Sequence, residues 1–390
     1  MTANFRLRAK PEWAKALGAA CLLVIGGAAC ALGAESDAVL RGAACDISGR
    51  VLSAPAKPAG AARAEKADPA DKGDDGSGEP TKGEESGGGG KGVVINIESA
   101  EFEPWRLPSN YKNADGTWNE ESLLAQQKKR LDFMNEKLSA RLKLSETPHY
   151  LIYSDAPPAI TSAFVKMCEA LYGNLCKQFA IEPNERIWDG KCILLLFGSR
   201  SLFMEYSRVF DGHDATNAGA YFAWECNNAK LPQLVHICIP TDAGNLRRLQ
   251  ELFAHEGTHA FFQLYKKPVT LPLWLHEGLA EFMTVVNDPG LKKQKQEWAI
   301  TFAKNGRSID GILNAAPYSG FAYPAYNVSY TLVDFLLAGP GWKVKFKKFI
   351  ELLKAGKNQD EALQAAYGFD ISGLEERWTV YCRDVLGNNR

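Results

Sequence analysis

"LFAHEGTHAFFQLYKKPVTLPLWLHEGLAEFM", Leu252 to Met283, places three of the chain's six histidines and three glutamates inside otherwise apolar sequence. Its first half continues a helical pattern from "NLRRLQELF", which Thr241 or Asp242 can cap and which stops before Pro268. Leu246, Leu249, Phe253, Ala260 and Leu264 share one face of that helix, and His255 and His259 share the opposite one. Residues i and i+4 lie one turn apart on the same side, so the two imidazoles can aim at one point. A Zn²⁺ ion asks this of two of its ligands. Glu256 stands beside the pair, where a carboxylate can hold a water and take its proton. The rival reading of one buried histidine, a hydrogen-bonded core residue, accounts poorly for two of them flanking a glutamate at this spacing.

Two imidazoles leave such an ion short of a protein ligand, because a catalytic site uses three plus an open position. After a turn rich in Lys and Pro, "PLWLHEGLAEFM" starts a second helix with Glu277 and Glu281, again at i and i+4. Glu277 is the expected third ligand. Glu281, one turn on, is expected to accept a hydrogen bond from the non-ligating nitrogen of His255 and so to fix its tautomer. His276 is a rival for the third position. Neighbouring helical residues point about 100° apart, so only one of the two can face the ion. The apolar Trp274, Leu275, Leu279, Ala280 and Phe282 around these glutamates argue against a merely solvated surface face.

An HExxH helix followed by a "WLxEG" helix resembles the gluzincin, or peptidase MA-like, zinc metallopeptidases. The order of elements is nearest to the secreted bacterial peptidase-MA-like families of unassigned substrate, and more distantly similar to the aminopeptidase N and leukotriene-A4-hydrolase family. The resemblance implies a zincin-like α+β fold: a mixed β-sheet in the N-terminal half with the HExxH helix against it, then a mainly helical C-terminal half. It implies one Zn²⁺ per chain, a peptide or protein substrate, and Glu256 as general base. "GAYFAWE", Gly219 to Glu225, resembles the aminopeptidase "GAMEN" edge strand, which makes Gly219, Ala220 and Tyr221 the expected substrate edge. It departs at Phe222, which stands where that family has the glutamate for a free peptide amine. "YPAYNVSYTLVDFLL" resembles the family's "YxxGxxLxxYL" helix, so that Tyr326 takes the place of the oxyanion-stabilising tyrosine and Ser329 that of the glycine. Tyr323 and Tyr330 are its rivals. The same residues would also suit a zinc-containing binding module without turnover at the cell envelope, or a zinc hydrolase of non-peptide amides or esters.

The rest of the chain sets the context. Its 390 residues, 46% of them hydrophobic, suffice for a large core. The balance of 45 Lys+Arg against 46 Asp+Glu, with no basic stripe, excludes a nucleic-acid binder. Arg6, Arg8, Lys10 and Lys15 precede "ALGAACLLVIGGAACALGA", Ala16 to Ala34, the order of a secretory signal over residues 1–34. An uncleaved anchor, or a lipid on Cys21 or Cys30, is the alternative and the one route to a membrane. Either way the chain is expected to be secreted, periplasmic or on the cell surface. Residues 35–92, rich in Ala, Pro, Gly, Lys, Asp and Glu, read as a disordered tether. The enzyme domain is expected over 93–390, with an α/β part to 267 and a helical part from 268.

Further expectations concern single elements. "VVINIESAEF" and "PHYLIYSD" read as strands, and "NEESLLAQQKKRLDFMNEKLSARL" between them as a charged amphipathic helix. "GAYFAWE" and "LVHICIP" read as a hairpin. Cys168 and Cys176 lie eight residues, about 12 Å, apart on one helix and cannot pair. Cys192 and Cys238 sit in apolar strands as buried thiols. His149, His213 and His236 have no partner at ligand spacing in the sequence.

Overall fold

The run "CILLLF" is apolar at every position because the strand it forms, Cys192–Phe197, is covered on both faces. In the computed structural model, which describes residues 93–388 apart from 96–99, 226–229, 243–244, 267–268, 316–320 and 322, this strand lies inside a six-stranded mixed sheet. The strands are β1 (Val93–Val94), β2 (Lys143–Glu146), β3 (Tyr150–Ser154), β4 (Cys192–Phe197), β5 (Tyr221–Trp224) and β6 (Val235–Pro240). Their order is β1-β5-β6-β4-β3-β2. β3, β4 and β6 are mutually parallel, while β5 runs antiparallel to β6 in the expected hairpin.

Alternation along the strands divides the core. Tyr150, Ile152, Leu194, Leu196, Phe222 and Ile237 face one side, against helices α2 (Pro158–Phe179) and α4 (Leu246–Leu264). Leu151, Tyr153, Leu195, Phe197, Tyr221 and Cys238 face the other, against α1 (Glu120–Lys137) and α3 (Arg200–Phe210). The cluster on the α4 side continues without interruption into the C-terminal helices: α5 (Leu273–Asn287), α6 (Lys292–Lys304), α7 (Asp310–Leu313), α8 (Tyr323–Ala338), α9 (Trp342–Lys354), α10 (Gln359–Tyr367) and α11 (Ile371–Val380). The architecture is therefore α+β and zincin-like, with the HExxH helix packed on a mixed sheet.

α5 and α8 pack closest at Gly278. A Cβ there would lie 2.6 Å from the Ser329 carbonyl oxygen and 2.9 Å from Val333 Cγ2, so only glycine admits this crossing. α8 is braced from behind, as Trp378 Nε1 donates to Thr331 Oγ1 at 3.1 Å, Tyr381 to Asp334 at 2.8 Å and Tyr367 to the Leu336 carbonyl at 2.9 Å. Gly368, at φ 80°, ends α10 and separates it from α11 as the sequence indicates.

Several local expectations need correction. Of the strand expected from Val93, Val93–Val94 forms β1 and residues 96–99 lie outside the described residues, and an unforeseen strand, β2, follows α1. Lys-Leu-Ser-Glu at β2 is an edge strand with mostly exposed residues, so it carries no apolar alternation to read. Asn245, not Thr241 or Asp242, caps α4, its side chain accepting from the Arg248 N–H at 2.9 Å. Thr241 Oγ1 instead donates to the Phe197 carbonyl, and Asp242 accepts from the Arg200 N–H. Cys168, Cys176, Cys192, Cys238 and Cys382 are buried free thiols. The signal and tether, residues 1–92, lie outside the described residues.

Candidate metal centre

α4 is buried on all sides from Leu252 to Leu264, between the sheet, α2 and α5. A helix so enclosed has nowhere to solvate its polar side chains, so each must find a partner inside. His255 Nε2 and His259 Nε2 face each other at 3.1 Å. Glu277, from α5, brings Oε2 to 3.5 Å from each of them. The connection from α4 to α5 is tied by Lys354 of α9, whose ammonium donates to the Gln263 carbonyl at 3.0 Å and the Val269 carbonyl at 2.5 Å. Burial pushes that ammonium down to about 7.

The spacing fits an ion. Zn²⁺ with ligands about 2.0–2.1 Å away sets them about 3.3–3.4 Å apart at the corners of a tetrahedron. The three separations here are 3.1, 3.5 and 3.5 Å. Glu277 Oε2 is buried with no hydrogen-bond donor. Two imidazoles and a carboxylate are the donor set of a catalytic zinc site, so the residues present fit the ion. His255, His259 and Glu277 form one of two groups among the described residues whose ligand atoms converge within 4.8 Å.

Electrostatics agree. Glu256, Glu277 and Glu281 are all at least nine-tenths buried, and among the described residues the one ammonium in contact with them is that of Lys295 in α6. With neutral imidazoles, this contact group carries two surplus negative charges. Burial alone would depress His255, but Glu277 at its edge outweighs it and holds the imidazole up at about 9. Burial likewise works against the Glu277 carboxylate, and the two histidines overcome it, holding it well below its ordinary range. Glu256 is pushed up, chiefly by burial, against the pull of His255 and His259. A carboxyl raised in this way is suited to taking and returning a proton.

The neighbours fall as follows. Glu281 Oε1 faces His255 Nδ1 at 3.6 Å, an ion-pair distance and not the hydrogen bond the sequence reading expected, and its Oε2 is paired with Lys295, which that reading did not include. His276 stays outside the converging set. Its ring lies flat on His259, centroids 4.2 Å apart, and burial drives it well below its ordinary pKa, so it is a neutral, stacked imidazole. Phe222 covers His259 from the β5 side at 5.6 Å. Tyr326 lies one turn, about 4.5 Å of helix, before Ser329 on the same side of α8 as the contact with Gly278. Its ring meets Phe321 edge-on at 4.9 Å. Tyr330 is a core residue against Phe282, its phenol driven far up by burial. The side chain of Tyr323 lies outside the described residues. β5 is not an open edge along its whole length, since β1 pairs with Ala223 and Trp224 and the Ile95 N–H donates to the Trp224 carbonyl at 3.1 Å. Gly219, Ala220 and Tyr221 lie outside that pairing.

A second buried cluster occupies the opposite face of the sheet. Arg130 Nη1 donates to Glu225 Oε1 at 2.5 Å, His236 Nδ1 meets the same oxygen at 3.1 Å, and His236 Nε2 meets Asp211 Oδ2 at 2.9 Å. Tyr221 also donates to Asp211, at 2.6 Å. Asp211, His236 and Cys238 are the other converging group. Here, however, both imidazole nitrogens are engaged by carboxylates, and Asp211 and Glu225 outweigh burial to hold His236 well above its ordinary pKa. Burial pushes the Cys238 thiol up to about 11. The chain of charges alternates and sums to zero. No sequence spacing announces the ion chain, because its contacts join residues 11, 25 and 95 positions apart.

In comparison with known proteins, the Peptidase MA superfamily model matches residues 222–384, from inside β5 to the π-helical segment that follows α11. The match takes in His255, Glu256, His259, Glu277, Glu281 and Tyr326. No curated protein matches the chain.

Proposed function

We propose that this chain is an exported zinc-dependent peptidase in which His255, His259 and Glu277 hold Zn²⁺. The observation that carries the reading is the convergence of three ligand atoms at tetrahedral spacing from two helices, with a buried glutamate beside them. Similarity to the Peptidase MA superfamily over the same residues supports hydrolysis of peptides. Zn²⁺, when bound there, supplies a Lewis acid that polarises a carbonyl and acidifies a water.

The chain's own groups do the rest. Glu256 accepts a proton from the attacking water at its carboxylate and returns it to the leaving amine. Its raised pKa lets one group serve in both directions. Tyr326, on the face of α8 turned to α5, donates a hydrogen bond to the oxygen on which negative charge develops. Backbone groups of Gly219, Ala220 and Tyr221 align the substrate by strand addition. Phe222, an apolar ring over His259 where the aminopeptidases carry a carboxylate, does not hold a free amine, which favours attack within a peptide over removal of its first residue. Residues 1–34 direct export and 35–92 form a tether to the enzyme.

The test uses the metal-loaded full chain, as wild type and as Glu256→Gln, with a diverse peptide library read by mass spectrometry. Wild type cleaves, and Glu256→Gln loses about 10²- to 10⁴-fold in rate with its zinc retained. Equal cleavage by both would sink the mechanism. Silence from both with one zinc per chain would make this a binding module.

A further inference from the structure

We propose that Lys295 is a positioning residue of the metal centre, acting on His255 through Glu281. The inference rests on the zinc reading above and adds a residue to it from a third helix. Lys295 sits in the first turn of α6, its side chain 13% exposed, and pairs with Glu281 Oε2. The Glu281 side chain is 4% exposed, and its other oxygen is the one facing His255 Nδ1.

A carboxylate this deeply buried needs a fixed cation or it protonates or turns toward another one. The nearest alternative is the centre itself, where Glu281 would compete with Glu277. By taking Oε2, Lys295 leaves Oε1 as the face presented to His255. That selects the Nδ1–H tautomer and keeps the Nε2 lone pair directed at Glu277 and His259.

The two histidines differ in this respect. Among the described residues His259 Nδ1 is buried with no hydrogen-bond partner, and its ring is held by stacking between His276 and Phe222. Of the two imidazoles, His255 is the one with a carboxylate facing its outer nitrogen, Glu281 Oε1 at 3.6 Å, so orientation by a neighbouring charge enters the centre through His255, and Lys295 is where that chain begins.

The experiment measures zinc affinity by competition with a chromophoric chelator, and the stability of the metal-free protein, for wild type, Lys295→Met, Lys295→Arg, Glu281→Gln and the Glu281→Gln/Lys295→Met double variant. Lys295→Met is expected to weaken zinc binding about ten- to a hundredfold. Lys295→Arg, which keeps the cation, restores most of it. The double variant binds no more weakly than Glu281→Gln alone, because both changes break one chain. Unchanged zinc affinity in Lys295→Met with lowered metal-free stability would reduce the pair to a structural bridge and overturn the proposal. So would additive losses in the double variant. A wild type that binds zinc without cleaving peptides leaves the affinity comparison decisive, whereas a wild type that binds no zinc removes the zinc reading and this proposal together.

Discussion

Each face of the sheet buries a cluster of histidine and carboxylate, and the two differ in how their charge is balanced. Behind the sheet, Arg130, Glu225, His236 and Asp211 alternate in sign, and each contact joins a cation to an anion. In front of it, the two Nε2 atoms of α4 face each other and share one carboxylate oxygen that no donor reaches. A protein does not bury surplus charge without a compensating group. The same residue types thus build a closed ion chain in one place and a converging set of candidate metal ligands in the other. Convergence of ligand-type side chains is shared by both, and the balance of charge separates them.

The comparison breaks most visibly at Arg130. Replacing it by Met strands Glu225 without its cation, at a cost of about 3–5 kcal/mol in denaturant unfolding, while zinc content stays at the wild-type level. Loss of zinc together with stability would mean that the two clusters are one system. Acid sharpens the same point. Burial opposes the charge on Glu225, but Arg130 and His236 prevail and hold the carboxyl at about 2 against an ordinary 4.5. A depressed carboxyl stabilises the fold fully above 4.5, and the contribution fades as the pH falls toward about 2. In Arg130→Met the fading begins at a higher pH, which a pH series of unfolding curves would detect.

A smaller effect is expected at Gly278, which belongs to the front cluster through packing alone. Alanine there drives a Cβ into the Ser329 carbonyl and forces α8 away from α5. The cost is about 1–3 kcal/mol of stability. Because α8 carries Tyr326, turnover should fall further than zinc affinity; a variant losing both equally would detach Tyr326 from the chemistry. Smallest is Asn245→Ala, which removes the cap of α4 for about 1 kcal/mol in thermal unfolding and leaves zinc affinity unaltered, since His255 lies nearly three turns from the cap.

These differences follow what a sequence can express. The front cluster was legible because its geometry is local: i, i+4 pairs on two consecutive helices bring four of its members within 26 residues, and the turn between them is short. The hairpin of β5 and β6 and the double helix at Gly368 were legible for the same reason. Lys295 was not, because a lysine at the start of an exposed-looking helix has no periodicity that points to Glu281. Neither was the rear chain, since Glu225 and Arg130 meet across 95 residues through the stacking of α1 on the sheet. The sequence reading started α4 too early, at Thr241 or Asp242, because those residues are as able to cap a helix as Asn245 is. The fold decides by carrying β6 on to Pro240 and using Thr241 to hold Phe197. The β1 pairing at Ala223 and Trp224 was hidden too, as two residues of strand leave no pattern.

Metal analysis of the purified chain tests the contrast most directly, with wild type, Glu277→Gln and Cys238→Ala compared after equilibration in buffered zinc. One equivalent in wild type and in Cys238→Ala, with at least tenfold weaker binding in Glu277→Gln, is the result expected from a metal-ligand set in front and a closed ion chain behind. Two equivalents in wild type, or loss of zinc on removing Cys238, would contradict it.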